Sequence, residues 1–465
     1  MAKITFLGAA QTVTGSKFLV EAATNGRVER LLVDCGLFQG PKKLRLRNWE
    51  PLPGDPATID AVVLTHAHID HTGYLPRLVR DGFAGAIHAN AATRDLCGIL
   101  LPDSARLQEE DAEHAAFKGY SKHHPPLPLY TEEEARLALS RFAVIPAQNQ
   151  PHAIGSAFSV RLLTAGHILG SASIELTVRE NGRATVILFS GDLGRYDQPI
   201  LNDPAKPPRA DYLVCESTYG NREHPAESPH HALAEVIRRV VKRGGAVVIP
   251  AFAVGRTQQL LYVLRELEDW HQIPEVPVYV DSPMAARVTD FYLAHRADHD
   301  LEYRRECDPL NTHSIHITRS VEESKQINKA NFPCVIISAS GMATGGRVLH
   351  HLARRLPDSR NAVLLSGFQA EGTRGRSLLE GARTVRIHGE DVPVKAEIVQ
   401  VSQFSAHAGR SELLRWLRGL PTPPMQTFLV HGEPTAMESL AGSIRSELRW
   451  PVTMPEYQQS FELTA

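Results

Sequence analysis

The hydrophobic pattern of the chain predicts two kinds of structure in succession. Over the first 215 residues, short runs of alternating or continuous apolar positions, separated by glycine, serine and asparagine turns, predict β-strands. The first three runs lie close together and predict an antiparallel meander. The predicted strands are 4–7, 17–21, 30–33, 60–65, 86–89, 158–164, 173–179, 184–189 and 212–215, and the predicted helices are 74–79, 91–101, 104–117 and 135–142.

Beyond residue 216 the pattern changes to a β-α-β rhythm, which predicts a parallel sheet and hence a second domain. Its predicted helices are 230–242, 258–270 and 346–355, and its predicted strands are 246–249, 276–280, 334–338, 362–365 and 384–388. Near the end, strands 399–404 and 427–430 are followed by helices 410–417 and 435–448. If these last segments rejoin the first domain, the second domain is an insertion, which the sequence allows but does not prove.

A histidine-rich motif, HAHIDH at 66–71, follows the predicted strand 60–65. Ligands bind at the carboxyl ends of strands in open α/β folds. His66 and His68 can point the same way from an extended backbone, while Asp70 and His71 lie one turn further on. Imidazole and carboxylate ligands suit zinc or a similar divalent ion, and the mixture favours a catalytic site. A histidine-rich surface loop would explain neither the preceding strand nor the residues downstream.

The same placement recurs along the chain. An acidic or histidine side chain follows, or nearly follows, a predicted strand at His167, Asp192, Glu216, His407 and His431. A lone histidine, or a lone aspartate in a turn, is usually structural. Because the placement repeats, one shared site is the better interpretation.

Composition limits the classes of protein that this chain can belong to. It has 465 residues and a formal net charge of −2, which excludes a uniformly basic surface but not a local basic groove. Dispersed cysteines without a C-x-x-C pair argue against a disulfide framework and favour a reducing cytoplasm. No signal peptide or long apolar run is apparent, so we expect a soluble protein without membrane contact. The five cysteines are Cys35, Cys97, Cys215, Cys307 and Cys334.

Glycine-rich turns between strands and helices recur in the second domain, at 251–256 and 338–347. Free backbone N–H groups at helix starts can bind anions, so these turns are candidate phosphate contacts. As ordinary tight turns they would need no ligand, and an arginine there is more often a surface residue. The candidates in these turns are Gly341, Gly345, Arg347 and Arg256, and Arg374 is a further candidate outside them.

Six motifs, HAHIDH, AGHILGSAS, SGDLG, CESTYG, FSAHA and LVHGE, occur in this order over nearly the whole chain. They resemble the motifs of the metallo-β-lactamase fold nucleases of the β-CASP family, in particular prokaryotic stand-alone members similar to the endonuclease of mRNA 3′-end processing. The resemblance implies an α/β fold, an αββα sandwich with an inserted parallel-sheet α/β domain. The domains would be 1–215 (metallo-β-lactamase, first part), 216–403 (β-CASP insertion) and 404–465 (metallo-β-lactamase, closing segment).

The resemblance also implies two zinc ions per chain. His66, His68 and His167 would bind one zinc and Asp70, His71 and His431 the other, with Asp192 bridging the two. Spacing alone favours an ordinary turn for Asp34, whereas the resemblance makes it a carboxylate that orients a metal-binding histidine. Glu216 and His407 correspond to the first two β-CASP motifs.

The activity implied by the resemblance is hydrolysis of single-stranded RNA. Two metal ions would activate a hydroxide for in-line attack and leave 5′-phosphate and 3′-hydroxyl ends. Asp70 would orient the nucleophile, and His407, oriented by Glu216, would protonate the departing oxygen. His431 favours RNA because RNA-cleaving members carry a histidine there.

Three other functions remain open at this point. A DNA nuclease of the same fold is the first, and a catalytically silent RNA-binding scaffold is the second, although such relatives typically lose metal ligands and none is missing here. A zinc hydrolase of small thioesters or lactams has no need of the long insertion. The sequence leaves open internal against 5′-exonucleolytic cleavage, the natural RNA, and a possible homodimer.

Overall fold

The computed structural model describes residues 2–24, 26–118, 127–146, 148–180, 182–225, 227–301, 310–367 and 369–464. The chain forms two compact units, the first comprising Met1–Asp197, Asn202–Glu223 and His407–Ala465, and the second Gln198–Leu201 and His224–Ala406. The predicted insertion was 216–403, whereas the main segment of the second unit runs from His224 to Ala406. Glu216 therefore lies in the first unit, and residues 404–406 lie in the second. Cys307 lies outside the described residues, and the other four cysteines are buried and free.

The first part of the first unit alternates short strands and helices. In chain order these are β1 (Ala2–Phe6), β2 (Phe18–Thr24), β3 (Arg27–Val33), α1 (Lys42–Leu46), β4 (Ala61–Val63), α2 (Ile69–Thr72), α3 (Leu75–Arg80), β5 (Ala86–Ala89), α4 (Ala91–Lys118), α5 (Glu132–Leu139), β6 (Phe142–Val144), β7 (His152–Ile154), β8 (Phe158–Thr164), β9 (Ala172–Glu180), β10 (Arg183–Phe189) and β11 (Tyr212–Glu216). The predicted antiparallel meander of β1, β2 and β3 is confirmed.

The second unit contains α6 (Pro229–Lys242), β12 (Ala246–Pro250), α7 (Arg256–Asp269), β13 (Val278–Asp281), α8 (Pro283–Ala294), β14 (Ile315–Ile317), α9 (Val321–Lys329), β15 (Cys334–Ser338), α10 (Val348–Arg355), β16 (Ala362–Leu365), α11 (Arg374–Leu379), β17 (Thr384–Ile387), β18 (Glu390–Pro393) and β19 (Glu397–Gln400). The chain then returns to the first unit with α12 (Arg410–Leu417), β20 (Gln426–Val430), α13 (Pro434–Ser443), β21 (Val452–Thr453) and β22 (Ser460–Leu463).

Two seven-stranded sheets form the first unit, in the orders β22-β1-β2-β3-β4-β5-β6 and β21-β20-β11-β10-β9-β8-β7. Alternate residues of β2 are buried, as expected for a sheet with one face on a core. That core joins side chains of both sheets, among them Phe6 and Val20 from the first and Phe189 and Phe428 from the second. Helices lie on the outer sides: α4 contacts β6, and α12 and α13 pack on the second sheet. The predicted αββα sandwich is therefore confirmed.

The second unit is built on a six-stranded sheet in the order β14-β13-β15-β12-β16-β19. Every neighbouring pair in it is parallel, as the β-α-β rhythm predicts. The central strands β12 and β15 are buried at every position, which is typical of strands covered by helices on both faces. In the described residues, no helix of either unit is long and apolar enough to cross a lipid bilayer.

Three predicted elements are wrong in detail. A single helix, α4, replaces the two predicted on either side of Pro102, because the fully buried Leu96, Leu101 and Ala105 hold both halves in the core. The segment 384–388 belongs to a separate hairpin of β17 and β18, not to the parallel sheet. Its turn residues His388 and Gly389 both have positive φ, as a type I′ turn requires.

The third difference concerns the approach to His407. The predicted strand 399–404 is instead β19, which ends at Gln400, followed by a short 3₁₀ turn at Ser402–Phe404. β19 pairs with β16 and so belongs to the sheet of the second unit. His407 therefore does not follow a strand directly, unlike His431, which comes immediately after β20.

Gly36 allows the chain after β3 to lie against the backbone that carries Asp70. A Cβ atom at Gly36 would lie 1.6 Å from the Asp70 carbonyl oxygen and 2.0 Å from its carbon. These are backbone atoms of α2, so no side-chain rotation can relieve the overlap. We expect Gly36→Ala to lower the free energy of unfolding by about 3 kcal/mol or more, measured by thermal or denaturant melting.

The matched control is Gly98→Ala, within α4, where nothing lies within 4 Å of the added methyl group. This substitution should be neutral or stabilise the protein by about 0.5–1 kcal/mol, because alanine favours helix more than glycine does. Equal melting of the two variants would contradict the close approach at Gly36.

Candidate metal centre

The topology of the first unit brings distant parts of the chain to one edge. Strands β10, β11 and β20 are adjacent and parallel, so their carboxyl ends place Asp192, Glu216 and His431 side by side. In the other sheet β3 and β4 are adjacent and parallel, which brings Asp34 next to the segment that begins at His66. Sheet order thus explains why these residues, each at or after the end of a strand, lie together.

Four side chains form a first set of possible metal ligands: His66, His68, His167 and Asp192. His68 Nδ1 lies 3.1 Å from His66 Nε2 and 3.2 Å from His167 Nε2. Asp192 Oδ2 lies 3.4 Å from His66 Nε2 and 3.5 Å from His167 Nε2. Three nitrogen atoms and one oxygen atom therefore surround one point.

A second set consists of Asp70, His71 and His431. His431 Nε2 lies 3.3 Å from His71 Nε2 and 3.4 Å from Asp70 Oδ2. The other oxygen of Asp192, Oδ1, lies 3.3 Å from His71 Nε2. Asp192 is thus shared, with one carboxylate oxygen facing each set.

Both sets suit a divalent cation. A tetrahedron with nitrogen ligands about 2.0–2.1 Å from its centre has edges of roughly 3.3 Å. The separations of 3.1–3.5 Å between the ligand atoms match that edge. Asp192 Oδ1 is buried yet accepts no hydrogen bond from any residue that the structure describes, a costly state that a cation would relieve. The donor set of imidazoles and carboxylates fits zinc.

Asp34 holds one of these histidines in place. Its Oδ2 accepts hydrogen bonds from His71 Nδ1 at 2.8 Å and from Thr65 Oγ1 at 2.8 Å, and its Oδ1 accepts from the Thr65 backbone N–H at 2.8 Å. With the proton on Nδ1, the Nε2 lone pair of His71 faces Asp192 and His431. Such carboxylate–histidine pairs orient metal ligands and raise their basicity.

A third group lies beside the first two: Asp192, Glu216 and His407. His407 Nδ1 donates to the Glu216 carboxylate at 3.2 Å, and His407 Nε2 lies 3.9 Å from Asp192 Oδ2. Glu216 is itself fixed, because it accepts hydrogen bonds from the backbone N–H groups of Leu193 at 2.6 Å and Thr218 at 3.3 Å. His407 therefore points its Nε2 toward the ligand sets from a rigid support.

Burial and charge act differently on the pKa values of the histidines. Burial lowers the pKa of His66 well below its ordinary value and that of His68 to about 4, so both are neutral and can bind a cation. Burial would also lower the pKa of His407, but the Glu216 and Asp192 carboxylates outweigh it and raise that pKa to about 9. For His71 the Asp192 and Asp34 carboxylates likewise outweigh burial and raise the pKa. At this raised pKa His71 carries a second proton, on Nε2, in addition to the one on Nδ1. A cation would compete with that second proton for the Nε2 lone pair.

Two site residues adopt strained backbone conformations. Asp34 has φ 58° and His431 has φ 50°, both in the left-handed region that costs non-glycine residues about 1–3 kcal/mol. The His431 backbone N–H donates to Ala9 O at 2.8 Å, which helps to hold this conformation. Strain of this kind persists only where the surrounding structure fixes the residue, and it is common at functional sites. Asp34 and His431 both contribute their side chains to the candidate metal centre.

The predicted phosphate contacts all lie in the second unit, and their arginines are already engaged. Arg347 donates to the buried Asp281 carboxylate at 2.8 Å. Arg374 donates to the backbone carbonyls of Ala343, Thr344 and Arg386, and so braces the turn that contains Gly341 and Gly345. Arg256 is 8% exposed and donates to Gln259. The side chains of Arg347 and Arg374 are half-buried. Gly341 is buried, whereas Gly345 is half-buried.

Three hydroxyl side chains of the site were not predicted from the sequence. Thr65 Oγ1 donates to Asp34, Thr218 Oγ1 lies 3.0 Å from His431 Nδ1, and Ser16 Oγ lies 3.3 Å from His71 Nε2. Thr65 directly precedes the HAHIDH motif and Thr218 lies within CESTYG, so both could have been suspected for that reason. Ser16 is 55 residues from His71, and only the folded chain connects them.

Comparison with known families agrees with this geometry. Residues 18–251 match the metallo-beta-lactamase superfamily, residues 257–378 match the Beta-Casp domain, and residues 391–455 match a domain described as "Zn-dependent metallo-hydrolase RNA specificity domain". All three matches follow the order of the motifs, and the last one contains His407 and His431.

Curated relatives are similar over most of the chain. "Ribonuclease TTHA0252" of Thermus thermophilus is 38% identical, over 93% of this chain and 93% of its own length. "Transcription termination factor FttA" of Methanocaldococcus jannaschii is 29% identical over 95% of this chain and 69% of its own length. An "RNase J-like protein" of the same organism is 30% identical over 92% of each chain. With its αββα sandwich, its converging histidines and aspartates and these relatives, the chain belongs to the β-CASP family of metallo-β-lactamase fold nucleases and is a metal-dependent hydrolase.

Proposed function

We propose that this protein is a two-zinc ribonuclease that hydrolyses phosphodiester bonds of single-stranded RNA and leaves 5′-phosphate and 3′-hydroxyl ends. The observation that carries the proposal is the division of Asp192, whose Oδ2 faces His66 and His167 while its Oδ1 faces His71. One carboxylate shared by two sets of ligands is the arrangement that binuclear hydrolytic sites use.

RNA is the proposed substrate for two reasons. The relatives named above include a ribonuclease and an RNase J-like protein, and the matched domain over residues 391–455 is described by its RNA specificity. The described residues also keep all seven side chains that the two zinc ions would need, which disfavours a silent RNA-binding scaffold. These are His66, His68, His167, Asp192, Asp70, His71 and His431.

When bound, the two metal ions would lower the pKa of a water toward neutrality and withdraw charge from the phosphodiester oxygens. The residues of the chain have other tasks. Asp70, which is half-buried, would accept a hydrogen bond from the attacking water and fix its direction. Asp34 keeps the proton of His71 on Nδ1, so that Nε2 remains available as a ligand.

His407 would act on the opposite side of the reacting phosphate as a general acid. Its Nδ1–H is held by Glu216, so the proton on Nε2 is the one that can be given away. In the reaction this proton would pass to the 3′-oxygen of the departing strand, which then leaves as a neutral hydroxyl group. Glu216 stabilises the protonated ring and fixes its orientation.

The first test concerns metal content and substrate. The purified protein should contain about two zinc ions per chain by elemental analysis, because seven ligands exceed the four of one tetrahedral site. Removal of zinc by a chelator should abolish cleavage of a labelled RNA, and addition of zinc should restore it. RNA should be cut much faster than DNA of the same sequence. A content near one zinc ion, undiminished cleavage after stripping, or faster cutting of DNA would each count against the proposal.

The second test separates the proposed roles of His431 and His407. His431→Ala removes a ligand of the second set, so the zinc content should fall toward one per chain. His407→Ala should keep both zinc ions and lose roughly a hundred- to ten-thousand-fold in cleavage rate, the usual contribution of a general acid. With a sulfur atom in place of the bridging 3′-oxygen, the leaving group needs little protonation, and the loss in His407→Ala should shrink strongly.

The two variants serve as controls for each other. His431→Ala should be impaired on the oxygen and the sulfur substrates alike, because its defect lies in metal binding. If His407→Ala also loses zinc, or is impaired equally on both substrates, His407 is a ligand or a positioning residue and not the general acid.

The third test concerns Arg347 as a phosphate contact. Arg347→Ala should weaken RNA binding and reduce the slope of log affinity against log salt by about 0.7, the value for one phosphate contact on a single strand. The thermal midpoint should fall as well, because the buried Asp281 loses a charged donor. Arg360→Ala is the control, since that arginine is exposed and its side chain pairs with Asp358 alone among the residues that the structure describes. An unchanged salt slope in Arg347→Ala would make Arg347 a structural partner of Asp281 alone.

A further inference from the structure

A basic segment follows the Asp34 turn. From Cys35 to Trp49 the sequence has four positive side chains, Lys42, Lys43, Arg45 and Arg47, and no aspartate or glutamate. Lys42, Lys43 and Arg45 are exposed, and none of the four forms an ion pair with any residue that the structure describes. In a chain with a net charge of −2, this is a concentrated patch of unpaired positive charge. We name residues 38–49 the basic segment.

The basic segment is held in place without a core of its own. Helix α1 has no buried residue, and Leu46 is 47% exposed. Instead, the side chain of the buried Asn48 clamps both sides of Phe38, accepting from its backbone N–H at 2.9 Å and donating to its carbonyl at 2.7 Å. A short helix that buries nothing gains little stability from packing, so the two hydrogen bonds of Asn48 help to fix its position.

Cation–aromatic contacts fix the far end of the segment. The guanidinium of Arg47 lies 4.3 Å from the centre of the Tyr457 ring and 5.5 Å from that of Phe38. The ammonium of the buried Lys17 lies 4.6 Å from the Phe38 ring. Phe38 is therefore held between two cations, and Arg47 presents a guanidinium stacked on an aromatic ring beside the exposed lysines.

The backbone ties the basic segment to the metal centre. Cys35 N–H donates to His71 O at 2.7 Å, and Leu37 N–H donates to Ile69 O at 2.9 Å. Lys42 is five residues beyond Leu37, so it lies at most about 18 Å from it. The start of the basic segment is thus tied by backbone hydrogen bonds to the helix that carries Asp70 and His71.

We propose that the basic segment binds the phosphates of single-stranded RNA as the strand approaches or leaves the metal centre, an inference that rests on the proposed ribonuclease function. Lys42, Lys43 and Arg45 would contact successive phosphates, and the Arg47–Tyr457 stack would support an adjacent base. Grooves for single-stranded nucleic acid combine these two features, backbone-tracking cations and aromatic stacking. One exposed leucine is too small an apolar surface to favour a membrane instead.

The test uses a triple variant, Lys42→Ala with Lys43→Ala and Arg45→Ala, all at exposed positions. The control, Arg179→Ala with Arg183→Ala and Arg209→Ala, removes the same charge from exposed positions of the first unit, at the strand ends opposite Asp192 and Glu216. Affinity for a labelled single-stranded RNA is measured from about 50 to 200 mM salt, in a His407→Ala background so that the RNA is not cut.

The triple variant should bind the RNA roughly tenfold or more weakly at low salt, with a slope reduced by about 2, since each lost contact accounts for about 0.7. The control triple variant should bind like the parent. In otherwise wild-type protein, zinc content and hydrolysis of bis(p-nitrophenyl) phosphate should be unchanged, because that small diester cannot reach the segment.

Affinity and salt slope equal to those of the control would overturn the inference, as would an equal loss of affinity for a duplex of the same length. Failure of the proposed function is a separate result: the wild-type protein would bind single-stranded RNA through the segment and yet not cut it. Loss of zinc or of small-diester hydrolysis in the triple variant would also overturn the inference, since the segment would then support the metal centre itself.

Discussion

The buried carboxylate of Asp192 is the constraint on which the metal centre depends. Burial raises the pKa of Asp192, but the surrounding imidazoles of His431, His71 and His66 outweigh that effect and hold it well below its ordinary value. An ionised carboxylate that is only 2% exposed requires compensating positive charge. The two ligand sets that share this anion are therefore suited to hold positive charge.

The second unit also contains a buried carboxylate, Asp281, but its oxygens have hydrogen-bond donors within the protein. Its two oxygens accept four hydrogen bonds, from Thr318, Ser324, Arg347 and His351, at 2.6–2.8 Å. These donors outweigh the effect of burial, which raises the pKa, and hold the pKa of Asp281 below its ordinary value. Asp281 is thus satisfied by the protein itself, whereas Asp192 is not. The same residue type is thus a structural centre in the second unit, whereas in the first unit it belongs to the candidate metal centre.

Holding the metal centre together has an energetic cost that the sandwich core offsets. Asp34 and His431 lie in the left-handed region at about 1–3 kcal/mol each, and several polar side chains are buried with them. The two strands that precede these residues, β3 and β20, lie inside their sheets with neighbours on both sides. β20 belongs to the first unit but follows the whole second unit in the sequence. His431, which comes directly after β20, therefore joins the other candidate ligands from a distant part of the chain.

The sequence by itself determined much of this protein. The periodicity of apolar residues gave the sandwich strands and the parallel sheet, since burial on one or both faces leaves a pattern of period two or a continuous run. Every proposed zinc ligand could be named, because the histidine and aspartate motifs recur after strands and their order resembles that of the β-CASP nucleases. The sequence was less informative about turns. His388–Gly389 forms a type I′ turn, but histidine is not among the residues that usually indicate this turn type.

Only the tertiary structure decided how these residues meet. Spacing could not show that Asp192 divides its two oxygens between two ligand sets, that Ser16 reaches His71 across 55 residues, or that Arg347 is bound to Asp281. It also could not show that the approach to His407 belongs to the sheet of another unit. The physical reason is that sequence patterns report which side chains are buried and in what conformation, whereas hydrogen bonds and ion pairs between distant segments depend on sheet order, which is decided when the strands pair.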